Sequence, residues 1–258
     1  MNEKSKVKHI WLMGGIGNQL FQINYGCYLV EQGYKVIYID NLIRHNIVTT
    51  NVLRWSIHEY ITNNVANIEI VNSKNILPIL AAKLNVLNDW SIFLKNESYN
   101  IDNLAATHLF GYFQKPRYED TSYINSVLKP ELFEAKFRNY VVHLRFGDSE
   151  YGERFRSYYL DALRLVRHEK IYICSDDKIK ALDILMKSGV NDFEFIAGDL
   201  YADFTAMINS KFLIIAPSTL SWWASKIAQK SEYIVCPKEY CSILGRPLED
   251  KSNKLILL

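Results

Sequence analysis

Apolar residues in this chain gather into short continuous runs rather than alternating with polar ones. In the second half these runs fall at residues 140–144, 170–174, 193–196, 211–216 and 233–236. Between them, residues 157–167, 178–187, 201–210 and 222–230 place apolar side chains at helical spacing, and Gly189 stands where the second of these helices should end. The first half opens in the same way. A strand is expected over 9–13, a turn over 14–17, a helix over 18–31 stopped by Gly33, and a second strand over 35–39. Residues 41–105 are rich in Asn and Ile with weak periodicity, so helices are expected there without defined boundaries.

Uninterrupted apolar strands alternating with helices indicate parallel sheets covered on both faces. Two strand–helix units precede residues 111–138 and four follow them. The expected fold is therefore α/β and GT-B-like, with two Rossmann-like lobes, residues 1–135 and 136–258, and a cleft between them. Open sheets of this kind bind ligands beyond the carboxyl ends of their strands.

Charge changes this picture little. There are 30 basic and 28 acidic side chains, a formal net charge of +2, so no overall basic excess calls for nucleic acid and any anion site must be local. No apolar run is long enough for a signal peptide or a transmembrane helix, which points to a cytoplasmic protein. The four cysteines, Cys27, Cys174, Cys236 and Cys241, form no C-x-x-C pair. They read as free core thiols suited to a reducing compartment. There is no D-x-D and no His/Cys/carboxylate cluster at ligand spacing, so no metal or other cofactor is expected.

Four segments carry candidate chemistry, each at an expected strand end. Gly14-Gly15-Ile16-Gly17-Asn18-Gln19-Leu20-Phe21-Gln22 follows the first strand. Its glycines, Gly15 among them, let the backbone approach a ligand, and Asn18 and Gln19 offer amides to hydroxyls or phosphates. A tight turn capped by Asn18 explains the same residues. The spacing is neither G-x-G-x-x-G nor a P-loop, which disfavours a Rossmann oxidoreductase or an ATPase.

In His143-Leu144-Arg145-Phe146-Gly147-Asp148, alternation puts His143 and Arg145 on one side of the strand. Arg145 is then suited to fork onto a diphosphate; a pair with Asp148 is the other reading. In Ser175-Asp176-Asp177, Asp176 holds ribose hydroxyls or orders the cleft, and one of the two aspartates caps a helix. Finally, Asp203 opens a helix, and Ala216-Pro217-Ser218-Thr219-Leu220-Ser221-Trp222-Trp223 brings three hydroxyls to a strand end and helix start. That is an anion cradle, or an N-cap with core tryptophans.

Taken in order, these segments resemble the bacterial α1,2-fucosyltransferases (glycosyltransferase family 11), whose patterns are G-G-x-G-N-Q-x-F-Q, H-x-R-R-G-D, S-D-D and N/P-S-T-x-S-W-W. The resemblance runs from Gly14 to about Ile227, with residues 41–135 unmatched. It implies metal-independent, inverting transfer of L-fucose from GDP-β-L-fucose to the 2-hydroxyl of a galactose-terminated glycan in a bacterial surface polysaccharide. A lipid-linked acceptor would bring peripheral contact with the inner membrane.

On this resemblance Arg145, Ser218 and Thr219 meet the donor phosphates, with Ser221 in the same hydroxyl segment. Asp203 reads guanine, His143 contacts the nucleotide, and Asn18 lies across the cleft near the reacting sugar. The base is a carboxylate among Asp148, Glu150 and Glu153, with Glu153 favoured by spacing in related α1,6-fucosyltransferases. Phe146 departs from the pattern by replacing its second Arg. Two alternatives stay open: another nucleotide sugar on the same fold, or a non-catalytic relative that binds glycan or nucleotide.

Overall fold

The computed structural model describes residues 7–40, 57–62, 68–71, 73, 75–84, 91–93, 106–114, 121–146, 154–240 and 254–258. The chain divides into two compact units, Met1–Leu128 and Lys129–Leu258, a boundary upstream of the expected 135/136.

The first unit runs β1 (Val7–Trp11), α1 (Ile16–Glu31), β2 (Lys35–Ile39), β3 (Ile68–Val71), α2 (Leu77–Leu84), β4 (Ser91–Phe93), β5 (His108–Phe110) and α3 (Thr121–Val127). Its sheet is parallel throughout, in the order β3-β2-β1-β5-β4. One face packs Trp11, Met13, Ile39 and Phe110 against Ile79 and Ala82 of α2. On α1, Gly26 is required by close approach. A Cβ there would sit 1.8 Å from the Tyr38 hydroxyl, which reaches in from β2 and donates to the Ile23 carbonyl at 2.9 Å.

The second unit runs β6 (Arg138–Leu144), α4 (Arg156–Arg164), β7 (Ile171–Ser175), α5 (Lys178–Ser188), β8 (Phe193–Phe195), α6 (Leu200–Ile208), β9 (Ser210–Ile214), α7 (Thr219–Ile227), β10 (Tyr233–Cys236) and β11 (Lys254–Leu257). Its parallel sheet is ordered β11-β10-β9-β6-β7-β8. Counted from β6 this is the 3-2-1-4-5-6 order of a Rossmann fold. The apolar runs of the central strands are buried: Val141, Val142, Leu144, Ile173, Leu213 and Ile214 are all inaccessible to solvent. Trp222 and Trp223 are fully buried core, edge to face at 5.2 Å.

Most expected elements of this unit appear with ends shifted by one to three residues, and Gly189 does cap α5 in the left-handed region. The thiols need a correction. Cys27 and Cys174 are free, but Cys236 is disulfide-bonded. Cys174 and Cys236 are both inaccessible to solvent, Cys236 at the end of β10, so burial alone does not keep a thiol free. Cys241 lies outside the described residues. Cys236 is therefore not the free core thiol expected and gives no support to a reducing compartment. Among the described residues no helix is long and apolar enough to cross a membrane.

Candidate functional site

In the second unit, β6 and β9 are hydrogen-bonded neighbours whose connections leave in opposite directions. A crevice forms outside the carboxyl ends of such a strand pair. Arg145 directly follows β6, and the Ala216–Thr219 turn follows β9 into the start of α7.

Arg145 is held by its surroundings. Its Nε lies 3.2 Å from Asp176 Oδ2, with both side chains about a quarter exposed. The other carboxylate oxygen of Asp176 accepts from the Phe146 N–H at 2.9 Å. One aspartate therefore grips backbone and side chain of consecutive residues. Asp177, next to it, is the N-cap of α5 and accepts from the N–H groups of Ile179 and Lys180 at 3.1 and 3.0 Å. Phe146 is buried, its ring 5.7 Å from that of Tyr159. The residue that replaces the second Arg of the motif thus packs in the core beside Arg145's support.

His143 is 4% exposed, and its Nδ1 has no hydrogen-bond partner among the described residues. Burial, and after it the charge of Arg145, pushes the imidazole down to about 3, so it is neutral at physiological pH. Asp203 stands in the first turn of α6, whose N-cap is Asp199. Its carboxyl is pushed up to about 6, chiefly by burial, then by the charges of Asp199 and Asp176; the Cys174 thiol and Lys178 pull the other way.

At the β9 end, Ser218 caps α7 by accepting from the Leu220 N–H at 3.3 Å, and Thr219 is partly exposed in the first turn. Ser221 is fully buried and donates to the carbonyls of Ala216 and Ser218 at 3.0 and 3.3 Å. It closes the strand-to-helix turn from inside and does not present a hydroxyl to the crevice, contrary to its expected place in the anion cradle.

The glycine segment occupies the equivalent place in the first unit, where β1 and β5 are neighbours. Gly14 has φ +77, and a Cβ there would lie 2.7 Å from Asn18 Nδ2. The N-cap of α1 is Gly15, without a side-chain cap, so Asn18 is not the cap. The helix begins at Ile16, two residues earlier than expected.

Gln22 joins the two strand ends, accepting from Met13 N–H at 3.0 Å and donating to the Gly111 carbonyl at 2.7 Å. Gln19, 1% exposed, donates to the Gly14 carbonyl and accepts from Ile57 N–H. Both amides hold backbone, so Gln19 supports the loop from within and is not open to a ligand as expected. Asn18 stays partly exposed, and its Oδ1 accepts from Gln114 at 2.8 Å.

Asp148, Glu150 and Glu153 lie outside the described residues. Three residues near these sites went unread in the sequence: Gln114, Tyr158 and Tyr159. A tyrosine pair in a helix gives the same signal as ordinary core, so spacing alone does not mark it.

No family model and no curated protein matches the chain. Among solved structures, it is similar to the fucosyltransferase NodZ from Bradyrhizobium at 11% identity, over 86% of this chain and 94% of that one, with a TM-score of 0.50. The chain has the GT-B fold. Two further GT-B structures align less closely. They are NodZ α-1,6-fucosyltransferase soaked with GDP-fucose (10% identity, 85% and 92% covered, TM-score 0.47) and Escherichia coli heptosyltransferase WaaC with ADP (7%, 97% and 89%, 0.47). The Gly14 segment, the segment ending in Arg145 and the Ala216–Thr219 turn each follow a strand beside which the strand order of its sheet reverses.

Proposed function

We propose that this chain is a glycosyltransferase using a nucleotide-diphosphate sugar, and that it moves L-fucose from GDP-β-L-fucose to the 2-hydroxyl of a galactose-terminated glycan, with inversion and without a metal. The observation that carries the reading is the pairing at the β6/β9 switch point. Arg145, braced by Asp176, stands at one strand end, and the Ser218-capped start of α7 stands at the other. A guanidinium and a helix N-terminus together suit a diphosphate. A fucosyltransferase of the same fold and the ordered motifs, Gly14 to Trp223, support fucose as the sugar.

In this reading the acceptor oxygen attacks the anomeric carbon as the bond to the β-phosphate breaks. Arg145, Ser218, Thr219 and the α7 N–H groups stabilise the charge that grows on the leaving diphosphate. Neutral His143 offers a hydrogen bond to the nucleotide without adding charge. Asp203, ionised above about pH 6, accepts from guanine N–H groups. Asn18 serves the acceptor side, and a carboxylate among Asp148, Glu150 and Glu153 takes the acceptor proton. Since Phe146 is core, its replacement of Arg leaves the Arg145–Asp176 contact in place, which favours an active enzyme over a non-catalytic relative.

The test is product analysis. The purified chain is incubated with GDP-fucose, a β-galactoside and EDTA, and the product is examined by NMR. An α-fucosyl residue on galactose O2 is expected. A different linkage or sugar overturns the specific assignment.

A further inference from the structure

β6 ends at Leu144, where its last ladder partner is Ser175, so the backbone groups of the next residues must find partners elsewhere. They find them in side chains. The fully buried Tyr159 hydroxyl lies 3.2 Å from Arg145 N and 3.3 Å from Arg145 O, accepting from one and donating to the other.

The preceding residue does the same for the other half of the switch point. The Tyr158 hydroxyl lies 2.7 Å from the carbonyl oxygen of Ile215 and 3.0 Å from that of Val235, sharing its single proton between them. Ile215 is the first residue beyond β9. From it the chain turns tightly through Ala216, whose carbonyl accepts from Ser218 N–H at 2.8 Å and from the Ser221 hydroxyl.

We propose that Tyr158 and Tyr159 are positioning residues. Two consecutive side chains on the first turn of α4 clamp the two halves of the diphosphate site, Arg145 and the Ser218 turn, at a fixed separation. The inference rests on the nucleotide-diphosphate reading above. Neither tyrosine touches the donor; each acts through the backbone that carries a donor-binding group. The rings lie 5.5 Å apart, and Phe146 packs edge-on against the second, so the clamp is itself packed.

The test compares binding of GDP, UDP and ADP with binding of the matching nucleosides by the whole chain and by Tyr158→Phe and Tyr159→Phe. A clamp controls what the diphosphate adds. The chain should bind one nucleoside diphosphate more tightly than its nucleoside. Each variant should lose roughly tenfold or more of that ratio, since small misplacements of binding groups are costly, while nucleoside affinity stays unchanged. Melting temperatures monitor folding. An unchanged ratio in folded variants overturns the clamp and leaves the donor reading standing. So does an equal fall in nucleoside and diphosphate affinity, or failure of both variants to fold, since either marks a general structural role. If the unaltered chain binds none of the three diphosphates, the donor reading is overturned and the clamp with it.

Discussion

Arg145 and Asp203 answer to different physics, and each makes a prediction. A hydrogen bond to a charged group is worth about 1.5–3 kcal/mol. Arg145→Ala should therefore slow transfer by roughly ten- to several hundred-fold, read as kcat/KM for the donor. Asp203 titrates near 6 because burial disfavours its charge. Its folded value lies above the unfolded one near 3.8, so the folded chain holds a proton that the unfolded chain has released. The resulting stability is fully present below pH 3.8 and is lost as pH rises through about 6. Asp203→Asn should raise the melting temperature at pH 8 by roughly a few degrees and change it little at pH 3.5. In the same window GDP affinity should fall as pH drops from 7 to 5, and the Asn variant should show no such fall. Residues of this kind were only partly legible in the sequence. Gln19 looks like a ligand amide in a motif, and only the geometry shows that it, like Gln22, is bound to backbone.

Among the elements, the Ser175-Asp176-Asp177 segment shows how two neighbours with the same side chain divide their work. Asp177 caps α5, and Asp176 braces Arg145. Removing a cap of this type costs about 1 kcal/mol. Asp177→Ala should lower the melting temperature by roughly 2–4 °C with donor kinetics unchanged. Asp176→Ala should instead lower kcat/KM for the donor about tenfold; equal kinetic effects from the two would contradict this division. The helices and long strands of the second unit were readable because apolar runs such as 140–144 and 211–216 stand out from polar breaks. The short strands β3, β4 and β5 were not. β3 and β4 lie in the Asn- and Ile-rich stretch 41–105, whose periodicity is weak, and β5 begins with His108, stacked on His9 at 4.5 Å, where an apolar residue would be expected.

For the molecule as a whole, sequence pattern was enough for two parallel Rossmann-like sheets. It did not disclose strand order, because pairing depends on contacts between distant segments that no local period records. The order β11-β10-β9-β6-β7-β8 is what gives the motifs their meaning, since it puts the segments that carry Arg145 and Ser218 after two neighbouring strands at a switch point. The α4 tyrosines that tie those strand ends together look like any core aromatics until that order is known. The central claim is that this arrangement binds and cleaves a nucleotide-diphosphate sugar. The most direct measurement is nucleoside diphosphate release by the purified chain from GDP-fucose, GDP-mannose, UDP-galactose and UDP-glucose, with EDTA, with and without a β-galactoside. The account predicts release from GDP-fucose, stimulated by the acceptor and abolished or strongly reduced in Arg145→Ala. Release from none of the four, or release that survives loss of Arg145 unchanged, would contradict it.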